Sequence, residues 1–371
     1  MKIAFDSQIF CAQELGGISR YICDLVEALK KRSNLEIQIV APFSINAYVK
    51  RISSPIFYGF HIQKSKYSAV NIVWRILGLV AGNLLLYLCK PDVIHETYYL
   101  AFPLGPKSAK RVLTIHDMIH EKFPGEVTSS KRLSANKKIA ALRADHIICN
   151  SYSTQNDVVE ILGIPIEKTT VVYLGLSPSV AMKFDLTEEI QALSSKYLLF
   201  VGARAGYKNF KGFIKAFSSS QFLMSNYEIL CFGGGSFNLE ELNYIAAVGL
   251  STDQVRQVSG NDSLLAESYA RASALIYPSF YEGFGLPPLE AMANHCPVIC
   301  SNTSSIPEVV GDAGAYFDPN SPAEMVEVMQ SLLQSEEMRE KLIKNGKSRV
   351  AQFAIDECAR KTADVYKKIL N

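Results

Sequence analysis

Short apolar runs rich in β-branched residues alternate with amphipathic stretches along almost the whole chain. Stretches long enough for a crossover helix separate many of these runs, among them 17–32, 153–162 and 263–272. Parallel strands need such crossovers, and they are apolar on both faces because helices cover both sides of the sheet. The alternation therefore predicts an α/β protein built on parallel sheets. The runs predicted as strands are 2–6, 36–41, 93–95, 111–115, 146–150, 170–173, 197–201, 228–232, 274–277, 297–300 and 315–317.

The length of the chain, 371 residues, indicates two domains. The polar stretch 176–196 contains Pro178 and no predicted strand, and is therefore the expected boundary. We expect a first domain over 1–180 and a second that begins at residue 181, each a doubly wound sheet. Ligands of such sheets bind beyond the carboxyl ends of the strands, which points to the cleft between the two domains.

Composition and charge exclude several classes of protein. With 48% hydrophobic and 20% charged residues, the chain is neither disordered nor fibrous. Its eight cysteines lack zinc-ligand spacing, and a strand-like run stands where a signal peptide would be, which favours a reduced, cytosolic protein. The net charge of +2 argues against a nucleic-acid binder.

Positive charge is concentrated in the first half of the chain. Residues 1–180 hold 21 Lys+Arg against 14 Asp+Glu, a net of +7, and residues 181–371 hold 17 against 22, a net of −5. The basic clusters include Lys131-Arg132 and Lys137-Lys138. This excess is either an ordinary solvated surface or a surface that faces anionic lipid or a diphosphate-bearing acceptor.

The segment 76–89 is the most apolar part of the chain. Its 14 residues are too few to span a bilayer, which takes about 20. A buried helix is the expected structure. The alternative is a helix that lies in a membrane interface, which the flanking Trp74, Arg75 and Lys90 would suit.

The densest chemical signal follows the predicted strand 274–277. A glycine-bearing loop leads into a predicted helix. Pro287 and Pro288 mark its first turn, where proline is common, and Glu290 is expected in that same turn. Loop amides at a helix N-terminus suit a diphosphate, and carboxylates suit the vicinal hydroxyls of a sugar. A tight turn with a helix cap would show the same residues. The candidate binding residues here are Glu282, Gly283, Phe284, Gly285, Leu286 and Glu290.

A second basic element follows the strand 197–201. Gly202 ends the strand, and Arg204 and Lys208 follow it with a planar guanidinium and a point charge. Surface residues often look the same. Beside the glycine loop, however, the two cations resemble a clamp for a diphosphate.

The first half supplies two weaker elements. Gly16 and Gly17 open a helix after the first strand, without the dinucleotide-binding fingerprint. His116 ends another strand and could exchange a proton near neutral pH, although a lone histidine is more often structural. His95 and Glu96 end a neighbouring strand and are candidates for lining the same cleft. We expect no metal site, because the six histidines lack a helical ligand spacing.

Together these segments resemble the retaining glycosyltransferases of family 4. The resemblance rests on EGFGLPPLEAMA with PVICSNTSSIPEVVGDAG, on VGARAGYKN, and on GGISRY, TIHDM and ICNSYST, in the family's order along the chain. It implies a GT-B fold of two Rossmann-like domains facing each other across a cleft, with 181–355 binding the nucleotide sugar. The segment 356–371 would be a helix that crosses back to the first domain.

The resemblance also implies roles for single residues. Arg204 and Lys208 would bind the diphosphate, Glu290 the ribose, and Glu282 the donor sugar together with the backbone from Gly283 to Leu286. His116 would contact the sugar near the reacting carbon, with Gly16 and Gly17 close to the phosphate or sugar. No cofactor or divalent metal is expected. Asn294-His295 and Ala205-Gly206 depart from the family pattern.

The function expected from this resemblance is transfer of a hexose from a nucleotide sugar, with GDP-mannose favoured over related GDP- or UDP-sugars. The acceptor would be a saccharide or a polyprenyl-diphosphate-linked saccharide in polysaccharide, O-antigen or capsule synthesis. The enzyme would be cytoplasmic, with a peripheral contact to anionic membrane. The alternatives are a sugar-nucleotide epimerase of the same fold and an inactive sugar-nucleotide-binding subunit.

Overall fold

The computed structural model describes residues 1–32, 34–52, 56–126, 130–177, 196–204 and 206–371. The chain divides into two compact units. Unit 1 comprises Met1–Pro124, Thr128–Gly175 and Ala354–Asn371, and unit 2 comprises Gly125–Val127 and Leu176–Phe353. The expected boundary between residues 180 and 181 lies outside the described residues.

Unit 1 is a parallel sheet covered by helices. Its seven strands run in the order β3-β2-β1-β4-β5-β6-β7, so chain order reverses between β1 and β4. The strands are β1 (Lys2–Phe5), β2 (Glu36–Ser44), β3 (Phe57–His61), β4 (Val93–Glu96), β5 (Lys110–Ile115), β6 (His146–Cys149) and β7 (Thr169–Val171). The helices are α1 (Gln8–Ala12), α2 (Gly17–Lys30), α3 (Ser68–Cys89), α4 (Ile119–Lys122), α5 (Ser130–Arg143), α6 (Tyr152–Leu162) and α15 (Ile355–Leu370). Short 3-10 turns span Tyr48–Arg51 and Ile166–Lys168.

Unit 2 repeats this plan with six parallel strands in the order β10-β9-β8-β11-β12-β13, which reverses between β8 and β11. The strands are β8 (Lys196–Val201), β9 (Tyr227–Phe232), β10 (Val255–Val258), β11 (Ala274–Tyr277), β12 (Val298–Ser301) and β13 (Gly314–Phe317). The helices are α7 (Phe210–Ser218), α8 (Gln221–Asn226), α9 (Leu239–Ala247), α10 (Asp262–Arg271), α11 (Leu286–Ala293), α12 (Ile306–Val310), α13 (Pro322–Gln334) and α14 (Glu336–Val350). Short 3-10 turns span Gly206–Lys208, Gly311–Ala313 and Ala351–Phe353.

The α/β class and the parallel sheets predicted from the sequence are confirmed. The two strands that the sequence pattern missed, β3 and β10, are the outer strands of their sheets on one side. Their residues are half-buried or exposed for the most part, because an outer strand has one neighbour and one solvated edge. Neither segment has the β-branched apolar run used for the others, because β3 reads FYGFH and β10 reads VRQV.

Helix α3 differs from the expected buried helix of 14 residues. It has 22 residues, of which three are buried, Gly78, Gly82 and Leu86, at a spacing of four. A Cβ added to Gly78 would lie 2.6 Å from Cys11 Sγ, and one added to Gly82 would lie 2.8 Å from Ser7 Oγ. The absence of side chains at these two positions therefore lets α3 pack closely against the rest of unit 1. By length and composition α3 is able to cross a membrane, and it is the one such helix among the described residues.

The C-terminal helix α15 completes unit 1. Tyr366 is fully buried, and its hydroxyl lies 2.6 Å from Nδ1 of His95 on β4. The other ring nitrogen of His95 lies 2.8 Å from Thr114 Oγ1 on β5. Burial lowers the pKa of His95 to about 3, with a smaller lowering from His116. His95 is therefore a neutral residue that ties the last helix to the sheet.

We expect this histidine to make folding stability depend on pH. Unfolded His95 takes up a proton below its ordinary pKa of 6.5 and native His95 does not, so acidification from pH 6.5 towards 4.5 favours the unfolded state by about 1.4 kcal/mol per pH unit. Asp6 acts in the opposite direction below pH 6, because burial raises its native pKa to about 6. His95→Gln should remove the His95 contribution, leave those of His116 and His146, and make the decline shallower by about one proton.

The measurement is urea unfolding at several pH values, followed by fluorescence of Trp74, the single tryptophan, which lies in unit 1. The stability difference at pH 8 gives the cost of the lost contacts, and the difference in slope tests the titration. Equal slopes for wild type and variant would contradict the assignment.

Candidate active site

In unit 2, the loops that follow β8 and β11 meet where the strand order reverses. Lys208, in the turn after β8, places its Nζ 2.6 Å from Oε1 of Glu282, in the loop after β11. Ser279 donates its hydroxyl to the same carboxylate oxygen at 2.6 Å. Both charged side chains are largely buried, at 14% and 8% exposure. A parallel sheet opens a crevice at such a reversal, and ligands of this fold class bind there.

The glycine loop is fixed by two serines that follow β12. The backbone N–H of Glu282 donates to Ser304 Oγ at 2.9 Å, and Ser305 Oγ donates to the carbonyls of Glu282 and Phe284, both at 2.8 Å. Gly285 has a φ of +118°, which a residue with a side chain rarely adopts, and α11 begins directly after it. The loop is therefore preorganised for a ligand at the start of α11.

The double proline limits what this helix end donates. Pro287 and Pro288 follow Leu286 in the first turn of α11 and carry no N–H. Leu286 is therefore the only N–H donor among the first three residues of the helix. An anion at this site depends on the amides of the loop more than on those of the helix.

Arg204 is held away from Lys208 by other partners. Its Nε donates to Glu241 Oε1 at 2.7 Å, and its guanidinium lies 4.7 Å from the centre of the Phe237 ring. It also donates to the carbonyls of the turn after β9, at 3.1 Å to Gly233 and 2.9 Å to Gly235. The side chain is 2% exposed. In this structure the two predicted clamp cations therefore bind different carboxylates, Lys208 towards β11 and Arg204 towards β9.

Glu290 is the fifth residue of α11, one turn later than expected. It is buried, and its Oε2 accepts a hydrogen bond of 3.1 Å from the hydroxyl of Tyr269 on α10. Asn294, one of the departures from the family pattern, donates its side-chain amide to the carbonyl of Glu290 at 2.8 Å. Asn294 therefore provides a hydrogen-bond donor for a carbonyl near the end of α11, and the Glu290 carboxylate keeps its hydrogen bond with Tyr269.

In unit 1, His116 follows β5 in a turn that its neighbours hold firmly. Its backbone N–H donates to the Tyr99 hydroxyl at 3.3 Å, and its carbonyl accepts from Asn150 Nδ2 at 2.7 Å. The ring is buried, and its Nε2 has no hydrogen-bond partner among the described residues. Burial lowers the pKa of His116 to about 4, while Asp117 raises it and Lys137 lowers it by smaller amounts. The imidazole is therefore neutral at pH 7, which corrects the expectation of proton exchange near neutrality.

Gly16 and Gly17 lie where expected, at the start of α2. A Cβ on Gly17 would meet no atom within 4 Å, so the helix begins in open space, whereas one on Gly16 would lie 2.4 Å from Gln13 Oε1. His95 and Glu96, in contrast, are core residues. Glu96 is 1% exposed and binds Arg111 at 3.0 Å and Arg143 at 2.8 Å. The expectation that these two residues line a cleft is wrong.

Two family models match successive parts of the chain. The model for Glycosyltransferase Family 4 matches residues 15–180, and the model for Glycosyl transferases group 1 matches residues 185–349. Both models describe glycosyltransferases and together they match most of the chain, which supports the expected resemblance to family 4. The predicted enzyme class of the chain, glycosyltransferase, is thereby confirmed.

Relatives and solved structures agree with the family models. O-antigen chain mannosyltransferase B of Escherichia coli is 27% identical over an alignment of 400 positions, which covers 99% of this chain and 100% of that protein. Sucrose-phosphate synthase of Thermosynechococcus elongatus has a TM-score of 0.75 at 18% identity, covering 99% of this chain and 98% of that one. HepE of Anabaena, in complex with UDP-glucose, has a TM-score of 0.72 at 17% identity, covering 99% and 100%. The structural likeness confirms the GT-B fold.

Sequence reasoning missed the residue that supports the His116 turn of this glycosyltransferase. Lys137, assigned to a basic surface cluster, has no exposed side-chain surface. Its ammonium donates to the carbonyl of Asp117 and to Glu121 Oε2, both at 2.8 Å, and lies 5.2 Å from the centre of the Tyr99 ring. The helical spacing gave a signal, because Lys137 shares a face of α5 with the buried Ala140 and Ala141.

Lys137→Met should destabilise unit 1 strongly. The substitution leaves the Glu121 carboxylate, 4% exposed, without its cation, and breaking a buried pair on one side costs about 3–5 kcal/mol. Urea unfolding followed through Trp74 measures the loss. The neighbouring exposed Lys138→Met is the matched control and should change stability by less than about 0.5 kcal/mol. Similar stabilities for the two variants would refute the supporting role of Lys137.

Proposed function

We propose that this glycosyltransferase moves a hexose from a nucleotide sugar to a saccharide acceptor, free or lipid-linked, in the synthesis of a surface polysaccharide. The observation that carries the proposal is the Lys208–Glu282 pair at the strand reversal of unit 2, next to the glycine loop that opens α11. One group of the pair suits the diphosphate of such a donor, and the other suits the hydroxyls of its sugar.

GDP-mannose is our proposed donor. The Escherichia coli relative that matches over the whole chain is named a mannosyltransferase, which supports mannose. HepE, which shares the fold, binds UDP-glucose, so uridine nucleotides are the comparison that the experiment needs. We propose that Glu290 binds the ribose: it is buried beside α10, and its carboxylate is held by a hydrogen bond from the Tyr269 hydroxyl.

The proposed reaction retains the anomeric configuration and uses no divalent metal. The bond between the anomeric carbon and the β-phosphate oxygen breaks, the acceptor hydroxyl oxygen bonds to that carbon from the same face, and the hydroxyl proton passes to the leaving phosphate. Lys208 and Arg204 stabilise the diphosphate as its charge grows, a role that preorganised cations perform well in a site of low exposure. Arg204 contributes by rotating away from Glu241 or at longer range.

His116 acts in this proposal as a neutral hydrogen-bonding group. Because its pKa is about 4, its imidazole is uncharged throughout the neutral range. Its Nε2, without a partner among the described residues, can bond a sugar hydroxyl. The turnover rate, measured between pH 6 and 8, should therefore depend on pH in the same way in the wild type and in His116→Asn.

We propose that the enzyme binds the cytoplasmic face of a membrane through α3. Val80, Leu84 and Leu88 are each at least 60% exposed, and six further large apolar residues of the helix are at least 40% exposed: Val70, Ile72, Val73, Ile76, Leu77 and Tyr87. Gly78 and Gly82 hold the opposite face against α1 and β2 along the helix. A helix packed lengthwise on a sheet lies in the interface instead of crossing the bilayer, since lipid cannot satisfy the loops around the sheet.

Lys208→Ala should weaken the binding of GDP-mannose at least tenfold, because it removes the cation nearest the glycine loop. Thermal stabilisation of the protein by GDP-mannose, measured without metal, gives the affinity; at 100 times the dissociation constant the wild type should gain about 2.7 kcal/mol. Lys211→Ala is the matched control, since Lys211 lies three residues further on, is half exposed, and pairs with the exposed Glu240. It should leave the affinity unchanged.

Glu290→Gln gives an independent arm of the same experiment. It should weaken GDP-mannose and GDP alike, because the ribose is common to both, and should spare a mannose 1-phosphate control. No stabilisation of the wild type by any GDP- or UDP-sugar would overturn the proposed donor site. Stabilisation by UDP-glucose alone would overturn the choice of donor base and sugar.

Turnover separates the proposal from the other activities of this fold. With GDP-mannose and an acceptor saccharide, the enzyme should release GDP and form a glycoside. With the donor alone, it should leave the sugar configuration unchanged, which chromatography of the recovered nucleotide sugar detects. Conversion of the donor without acceptor would identify an epimerase, and donor binding without either reaction would identify a binding subunit.

A further inference from the structure

A cavity of about 760 Å³ opens in unit 1. Its walls come from α1, α3, α5 and the segment after β4. Most of its lining is apolar, from residues such as Ile9, Leu79, Leu100, Phe102 and Leu133. It is therefore a site for a largely apolar ligand.

Two arginines stand at this cavity, Arg75 on α3 and Arg132 on α5. Both are exposed, and among the described residues neither has a hydrogen-bond or ion-pair partner. Unit 1 contains other arginines that are fully engaged, such as Arg111 and Arg143 on Glu96. Two unpaired guanidinium groups beside an apolar cavity fit a ligand with a multiply charged anionic group and an apolar chain.

The apolar wall of the cavity continues onto the membrane-facing surface of α3. Ile72 and Ile76 line the cavity and are at the same time 58% and 55% exposed. Arg75 lies between them in sequence. A lipid that leaves a bilayer along α3 would therefore bring its chain past these isoleucines and its head group to the arginine.

The cavity also lies beside the polar groups at the strand reversal of unit 1. Gln8, which follows β1, and Tyr99, which follows β4, both line it. The Tyr99 hydroxyl accepts the hydrogen bond from the His116 backbone, so the cavity is one residue away from the proposed sugar-contacting histidine. A ligand bound here would thus hold its head group close to the turn that carries His116.

We propose that this cavity binds the acceptor of the transferase as a prenyl-diphosphate lipid, with the diphosphate on Arg75 and Arg132 and the first isoprene units against the apolar wall. This inference rests on the proposed function and names the acceptor class that it leaves open. The two arginines then determine specificity for lipid-linked over free saccharides. The charge of a diphosphate matches two unpaired arginines, whereas a single phosphodiester head group would leave one of them without a partner.

Farnesyl diphosphate is the probe for this proposal, titrated calorimetrically into the full-length enzyme below its micelle-forming concentration. Arg75→Ala with Arg132→Ala should weaken its binding at least tenfold. Ala12→Trp, at an exposed cavity-lining position, should weaken it as well by filling the cavity without changing charge. The control is Lys131→Ala with Lys138→Ala. It also removes two positive charges, at exposed positions of α5 that do not line the cavity, and should change the affinity less than twofold.

Further arms separate the possible failures. Lys208→Ala should bind farnesyl diphosphate normally, and the double arginine variant should still be stabilised by GDP-mannose. If GDP-mannose does not stabilise even the wild type, the proposed function fails and not this inference. Farnesol or inorganic pyrophosphate binding as tightly as farnesyl diphosphate would overturn the inference. So would a double variant that binds the probe normally and loses affinity only for phosphatidylglycerol vesicles, because the arginines would then serve bulk lipid.

Discussion

The two strand reversals, β1 next to β4 and β8 next to β11, determine where this protein can carry chemistry. Central strands of both sheets are buried on both faces, so polar side chains along them would lose hydration without compensation. Charged groups consequently lie at the strand ends or, like Glu96 and Arg111, neutralise each other in the core. At a reversal the flanking helices lie on opposite faces of the sheet, and the space between the two strand ends stays open for a ligand.

This constraint explains how much of the protein the sequence predicts. The central strands are apolar runs because both faces are buried, and the residues that follow them, such as Gly202, Lys208, Glu282 and His116, could be picked out from position alone. Two outer strands escape the same reasoning: β10 carries Arg256 and Gln257, β3 lacks β-branched residues and contains Gly59, and backbone pairing makes both segments strands. Helix α3 was predicted too short because Ser68, Asn71 and Arg75 interrupt its first two turns before the long apolar run.

The cations show what a sequence cannot resolve. Lys137 and Lys138 are adjacent, yet one is fully buried on Glu121 and the other is exposed, because neighbouring helical positions point in directions about 100° apart. Arg204 and Arg75 look equally available in the sequence. Arg204 is bound by Glu241 and glycine carbonyls that come from a distant part of the chain, whereas Arg75 has no such partner among the described residues. Availability of a charge is thus a tertiary property, which the motif that contains it does not determine.

The unusual surface of α3 and the two unpaired arginines at the cavity have a common physical explanation. In water, an exposed apolar helix of 22 residues raises the risk of aggregation, and its exposed side chains contribute no free energy of burial. On a bilayer the same residues gain free energy from burial, while Gly78 and Gly82 anchor the helix to the sheet and keep its orientation fixed. That orientation places Arg75 where an anionic head group would arrive. In the proposed function, the apolar face and the arginine pair therefore act together to bring a charged lipid from the membrane to the carboxyl end of β4.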